Sequence, residues 1–457
     1  MRPIDDMLVS AQGKTRFHMP GHKGRLESVP AGLDMTELAS TDDLYAPQAG
    51  IAEAERLLAK SAGAGASILV PGGSTAGILA MVLAYVKPGG RLLMRRDAHH
   101  SAQSACILAD VEPVLLPPGA DLCKAARDIP CDAIFVTRPT FHGLVEPLPR
   151  ADVPVLVDAA HGAHFSWWDS PESALRAGAD CAVESAHKTL GAYTGGAWLH
   201  ARRAEDGPRL RRMLRMVCTS SPSFLILRSL DDARAFMDEQ GREALSRLTG
   251  WCEDARGKLT ALGFPCPSLG DPTRLCIRTD GMGLTGWEAL SQLAELGVDM
   301  EMGDARGVVA IGSVYDRAED YAALVNAFAR LRPGSGAPEF PEPAYGERAL
   351  RPRAAALGKT RLVPLKNAAG EIAARAVGAY PPGCATAAPG ERLTRDCVNF
   401  LLASRAAGAT LFGAEGDLVE VVDEPAQRGN VARSPIKTMF LSAVAPSIGA
   451  KTAKRGK

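Results

Sequence analysis

The sequence lacks any Cys-x-x-Cys pair and any cysteine–histidine spacing suited to zinc, although it holds 10 cysteines. Thiols scattered in this way read as reduced cysteines of an intracellular protein, not as a disulfide framework. It also lacks an excess of either charge. Lys and Arg number 52, Asp and Glu number 52, and the formal net charge is zero. No global field therefore draws the chain to nucleic acid or to an anionic membrane. No apolar run is long enough to span a bilayer; the longest, around residues 78–86, reads as a buried helix. The opening Met1-Arg2-Pro3-Ile4-Asp5-Asp6 places acids where a secretory signal has its apolar core. No internal repeat is visible. A cytoplasmic protein without nucleic-acid or membrane partners is the expectation.

With 457 residues, 46% hydrophobic and 23% charged, the chain can bury a large core in two or three domains. From about residue 50 to 200, short apolar runs alternate with helical patterns. Strands are expected at 67–70, 91–94, 111–116, 133–137, 153–157, 181–184 and 196–200, and helices at 52–64, 76–86 and 101–109. Continuous apolar strands alternating with helices predict an α/β fold whose mainly parallel sheet is covered on both faces. Ligands of such sheets sit at the carboxyl ends of the strands. A helix over 225–243 leads into a smaller α+β region at 251–332. Residues 333–338, rich in Pro and Gly, read as a linker. A third region covers 346–426, and a basic tail at 427–457 reads as disordered and solvated. Residues 1–50 form an N-terminal arm.

Four groups of polar residues fall at the predicted strand ends. Ser185-Ala186-His187-Lys188 follows one strand. A lysine desolvated there has a lowered pKa and can form an imine with an aldehyde, while Ser185 and His187 can bond a phosphate. The same segment also suits a surface lysine in a loop. Asp158 closes the run Val155-Leu156-Val157. An acid in that place can pair with a protonated pyridine nitrogen and make the ring an electron sink, or it can simply cap the next turn. Gly72-Gly73-Ser74-Thr75 precedes an apolar helix, an arrangement that binds phosphate, although Ser and Thr are also routine helix caps. No lysine follows these glycines as a nucleotide-binding loop requires. His99, in Asp97-Ala98-His99-His100, can stack on a cofactor ring and move a proton, or lie on the surface. The His-His pair has no third ligand at a metal-binding spacing, so no metal is expected.

Taken together, these segments resemble the bacterial ornithine/lysine/arginine decarboxylases, in the short form without an N-terminal wing domain. The likeness runs in order through most of the chain. It includes Phe17-His18-Met19-Pro20-Gly21-His22-Lys23-Gly24, Thr41-Asp42-Asp43-Leu44, Pro139-Thr140-Phe141-His142-Gly143, Asp158-Ala159-Ala160-His161-Gly162, Thr219-Ser220-Ser221-Pro222-Ser223 and Tyr380-Pro381-Pro382-Gly383. The resemblance implies an aspartate-aminotransferase-like fold with a seven-stranded-type sheet, a smaller domain and a C-terminal decarboxylase-type domain. It implies pyridoxal 5'-phosphate as cofactor, held as an imine on Lys188, with Asp158 on the ring nitrogen. It further implies His99 and Ala160 on the two ring faces, Ser74, Thr75, Ser185 and His187 around the phosphate, and His161 near the imine. The implied reaction is decarboxylation of a basic amino acid in a homodimer or higher homo-oligomer with shared sites, the segment at 219–223 serving the partner's site.

Three positions depart from the family pattern. His100 stands where lysine is usual, Cys384-Ala385 replaces Ile-Pro, and Arg375 stands where a glutamate often reads the distal amine of the substrate. An arginine there would repel such an amine by like charge. Another pyridoxal enzyme of this fold, an aminotransferase or a carbon–sulfur lyase, is the alternative reading. A non-catalytic regulator is the third, although such a protein would not need the imine lysine and its acid.

Overall fold

The computed structural model describes residues 1–12, 16, 19–20, 22–23, 25, 30–38, 40–334, 336, 343–380 and 384–423. Its centre is a sheet of seven short strands: β1 (Ala66–Val70), β2 (Arg91–Arg95), β3 (Glu112–Leu116), β4 (Ala133–Thr137), β5 (Val155–Asp158), β6 (Cys181–Glu184) and β7 (Ala197–Ala201). Across the sheet the order is β1-β7-β6-β5-β4-β2-β3. Strands β2 to β6 pair in parallel, and β7 runs antiparallel to both β1 and β6. Successive residues of each strand point to opposite faces, and both faces are apolar. Leu92, Met94 and Phe135 pack into one core with the helix Gly73–Tyr85, while Leu93, Ile134, Val136, Val155 and Val157 pack into another. Two covered faces are what a parallel sheet requires.

Local chemistry moves three expected boundaries. The strand expected at 153–157 begins at Val155, because Pro154 has no N–H for the ladder; Asp158 therefore ends the strand from within. The helix expected at 76–86 begins at Gly73, which bends the chain with a φ of +73°, so Ser74 and Thr75 lie in the first helical turn and not in a loop before it. The helix expected at 225–243 runs much further. Phe224–Phe236 passes through a wider π turn, Met237–Gly241, into Arg242–Ala261. Buried Leu245, Leu248, Cys252, Ala255 and Leu259 keep one face of it on the core, which outweighs the helix-weakening glycines 241, 250 and 257.

The smaller sheet, β8 (Arg274–Arg278), β9 (Met302–Gly303) and β10 (Gly307–Ile311), is antiparallel in the order β8-β10-β9. One apolar cluster is shared by Leu69 and Trp198 of the large sheet, Leu275 and Ile277 of the small one, and Ile4 and Leu8 of the N-terminal helix Pro3–Ser10. The C-terminal region contains short antiparallel strands and the helix Arg395–Ala406 around Leu365, Val377, Leu393, Leu401 and Val421. Asp42, part of a segment quoted for the family likeness, has a structural task. Its carboxylate accepts from the N–H groups of Gln48, Ala49, Ile51 and Ala52 at 2.8–3.3 Å and so caps the helix Gly50–Ala62. Among the described residues no helix is long and apolar enough to cross a membrane. The tail at 427–457, Pro381-Pro382-Gly383, and Phe17, His18, Gly21 and Gly24 lie outside the described residues, as do residues 335, 337 and 338 of the expected linker.

Candidate active site

The residues singled out above gather at one edge of the large sheet, past the carboxyl ends of β1, β2, β5 and β6. After β6 the chain enters the short helical turn Ala186–Thr189. Ser185 N–H bonds Ala160 O at 3.3 Å, which ties the β6 loop to the β5 loop. A glycine loop holds two further pieces together. Gly73 N–H donates to Gly195 O at 2.7 Å, and His187 Nδ1 donates to Gly196 O at 2.8 Å. The start of the Gly73–Tyr85 helix and the lysine turn are thus braced by the same two residues.

Lys188 Nζ lies 3.2 Å from His161 Nε2. Burial lowers the lysine pKa; Asp158 and Glu301 oppose that shift and Arg274 adds to it. Asp158 is buried, and its Oδ1 accepts from Ala160 N–H at 3.0 Å. Burial raises its pKa, against the Ala160 bond and the Lys188 charge. A carboxyl group buried with so little help is well placed for a cationic partner. Ser185 Oγ is buried with no hydrogen-bond partner among the described residues. Ser74 is half-buried and Thr75 exposed, at a helix N-terminus whose first N–H groups favour anions. Unsatisfied buried groups are uncommon in folded proteins. A buried acid, a desolvated amine and an orphaned hydroxyl beside a helix start fit the nitrogen, aldehyde and phosphate of pyridoxal phosphate.

His99 caps the helix His100–Ala109. Its Nδ1 accepts from Ser101 N–H at 3.3 Å and lies 2.8 Å from Ser101 Oγ. The ring remains open to solvent. The protein packed around it, with His100 and Lys188, lowers its pKa to about 4, so the imidazole is neutral near pH 7. Ala160 is buried next to Asp158, between β5 and His161. His161 is itself buried, edge-on to Phe141 at 5.3 Å between ring centroids.

Arg274 belongs to the same site and was not foreseen. It opens β8 of the smaller sheet, and its guanidinium lies 3.4 Å from His161 Nδ1 and 3.0 Å from Phe141 O. Asp271, Thr273 and His164 form a buried cluster beside it. In sequence, Asp271-Pro272-Thr273-Arg274 is an ordinary turn before a strand. No local signal predicts that it packs against a loop more than a hundred residues earlier.

The charge of Arg375 has local partners. Its side chain is 55% exposed and lies 3.5 Å from Glu415 and 3.6 Å from Glu420 on the C-terminal sheet. The repulsion expected of that position is therefore met by two carboxylates of the same region. Thr219, Ser220 and Ser221 are exposed, and Tyr45 Oη donates to Thr219 O at 2.6 Å.

Comparison with known proteins adds the family. The sequence matches the family model described as Orn/Lys/Arg decarboxylase, major domain, over residues 3–134 and 133–263, and that of the C-terminal domain over residues 339–436. An arginine decarboxylase of Halalkalibacterium halodurans is 30% identical over 454 residues, covering 88% of this chain and 92% of that one. An arginine decarboxylase of Bacillus subtilis is 29% identical, with 89% and 94% covered. Among solved structures, the Francisella novicida lysine decarboxylase LdcF superposes with a TM-score of 0.81 at 17% identity, covering 93% of this chain and 81% of that one. The constitutive lysine decarboxylase of E. coli gives 0.79 at 20% identity, with 92% and 82% covered.

Proposed function

Because the chain belongs to the Orn/Lys/Arg decarboxylase family, we propose that it removes carbon dioxide from a basic amino acid, with pyridoxal phosphate held at Lys188. The observation that carries this reading is a buried acid and a half-buried amine at the ends of neighbouring parallel strands, Asp158 closing β5 and Lys188 just beyond β6. Lys188 would anchor the cofactor through its amine, and Asp158 would pair with the ring nitrogen. His99 and Ala160 would bound the ring, with His161 on the amine side. Ser74, Thr75, Ser185 and His187 would hold the phosphate. When bound, pyridoxal phosphate supplies a ring that takes up the electron pair left as the carboxylate departs.

The chain's own groups do the rest. Asp158 would favour a protonated ring nitrogen, since an acid in so dry a place is stabilised by a cation beside it. Lys188, made less basic by burial, offers an amine that can bond and later be released. Lys188 as an ammonium, or His99 once it has gained a proton, would return a proton to the α-carbon; with the His99 pKa at about 4, the lysine is the better donor near pH 7. Glu301, an exposed carboxylate whose charge is felt at both Lys188 and Arg274, would favour a substrate with a cationic end. Arginine is the first substrate to try, because relatives covering most of the chain are named for it; lysine and ornithine follow. The exposed residues Thr219, Ser220 and Ser221 offer a surface for a homodimer in which each subunit completes the other's site.

The test begins with the visible spectrum of the purified protein, where a cofactor bound to Lys188 gives a yellow band that borohydride bleaches. The protein is then incubated with arginine, lysine and ornithine. Carbon dioxide with agmatine or a diamine is the expected outcome. Release of a keto acid or pyruvate instead would overturn the reading in favour of another enzyme of this fold.

A further inference from the structure

A guanidinium has five N–H donors and no acceptor. Arg274 directs two of them, on Nη1 and Nη2, at His161 Nδ1, each at 3.4 Å. Phe141 O holds Nη1 at 3.0 Å, Asp271 stands 3.9 Å from Nη2, and the side chain is 1% exposed. Held against donors only, His161 Nδ1 must offer its lone pair. The single proton of the neutral ring then sits on Nε2, which lies 3.2 Å from Lys188 Nζ. An ammonium group has no lone pair to receive that proton, whereas a neutral amine has one.

We propose that Arg274 is a positioning residue that fixes His161 as its Nε2–H tautomer, so that a donor and not an acceptor faces the Lys188 amine. The neutral amine is the form that attacks a carbonyl, so the inference rests on the reading of Lys188 as the reacting group. With the opposite tautomer, the Nε2 lone pair would accept from an ammonium and stabilise the unreactive form. The other charges around Lys188 make such a device useful. Asp158 and Glu301 both favour the ammonium, Arg274 disfavours it, and His99 stands close enough to feel it. His161 is faced by Arg274, Lys188, His99 and Asp271. Burial lowers the basicity of both His161 and Lys188, as two groups sharing one neutral hydrogen bond require.

The charge of Arg274 also repels a Lys188 ammonium directly, so the test has to separate charge from tautomer. It uses the full-length chain stripped of small molecules. Histidine 15N resonances of the wild type, with the His161 signals assigned by their loss in His161→Gln, should show an unprotonated Nδ1 and a protonated Nε2. A proton on Nδ1 would overturn the proposal outright, and this measurement needs no variant at position 274. In parallel, trace acetylation of Lys188 is followed over pH by mass spectrometry. Arg274→Met should raise its apparent pKa and slow its modification near pH 7 about tenfold, a shift of about one unit. Arg274→Lys keeps the charge but replaces the planar fork by a compact ammonium, so it should shift the Lys188 pKa by less than Arg274→Met does. In a His161→Phe background most of the Arg274→Met shift should vanish. A shift of equal size in both backgrounds means that Arg274 acts by charge alone, and the proposal falls. No step reads turnover, so a failure here is distinct from a failure to decarboxylate.

Discussion

Two polar clusters, one at the site and one behind β2, are completed to different degrees. Behind β2, Arg96 meets Glu391 of the C-terminal region in a two-bond pair at 2.8 and 2.7 Å. The same carboxylate accepts from Ala388 N–H at 2.9 Å, with Arg348 at 3.8 Å, and the Tyr345 ring lies 4.9 Å from the Arg96 guanidinium. Both partners are buried and well bonded. Around Lys188, Asp158 has the Ala160 N–H as its hydrogen-bond donor and Ser185 Oγ has no partner among the described residues. A charge cluster that the protein completes is a joint, here between the chain leading to His99 and the C-terminal region. A cluster that it leaves incomplete is a binding site in waiting, because desolvating polar groups without partners costs free energy that only a ligand can offset.

The largest effect should come from the open cluster. Lys188→Ala should abolish the yellow band and lower turnover by more than about a thousandfold, since in the proposed function one group would serve as both anchor and proton carrier. Its unfolding midpoint should move little. A retained, borohydride-reducible band would place the anchor elsewhere. The closed cluster should respond in the opposite way. Glu391→Ala strands a buried Arg96 and should destabilise the fold by about 3–5 kcal/mol in urea unfolding. A loss of turnover with unchanged stability would mean that this cluster, too, is functional.

Asp158→Asn keeps the shape and removes the charge, so turnover should fall about a hundredfold while stability holds or rises slightly. Equal turnover would break the comparison at its centre. A smaller effect concerns pH. His99 titrates at about 4, and His161 well below its ordinary value. An unfolded chain takes up protons on these rings from about pH 6.5 downward, where the folded chain does not. These two groups therefore cost stability as pH falls through that window. His161→Gln should flatten the decline between about pH 7.5 and pH 5, measured by urea midpoints; an unchanged slope would show that the ring is charged in the folded state. The smallest effect belongs to Arg375→Ala. Being exposed, it should change stability by less than about 0.5 kcal/mol and leave KM for the basic substrate nearly unchanged. A large gain in affinity would restore the repulsion expected from the sequence.

Much of this site is legible without coordinates. Val155-Leu156-Val157 followed by Asp158, and Cys181-Ala182-Val183 followed by the Ser185–Lys188 turn, are apolar runs ending in polar groups. In a parallel sheet such endings come together, so the four loops could be assigned to one edge. Less legible were Ser74 and Thr75, expected in a turn and found within the helix, because the decision rests on the backbone bend at Gly73. The length of the helix beyond Gly241 was hidden as well. Its glycines argue locally for a stop, and only the core against which Leu245, Leu248 and Leu259 pack overrules them.

By itself, then, the sequence determined the order of strands and helices along the chain and, to within a residue, where each strand of the large sheet ends. Those follow from hydrophobic period and local polarity, which are properties of neighbours along the chain. What tertiary structure alone decided is where the rest of the chain meets them. Arg274 reaches His161 across a gap of 113 residues, Glu391 reaches Arg96 across 295, and Arg375 is turned to Glu415 and Glu420. Charges act through space and through the water removed around them. Whether Lys188 faces a donor or an acceptor therefore depends on a guanidinium that no pattern near Lys188 contains.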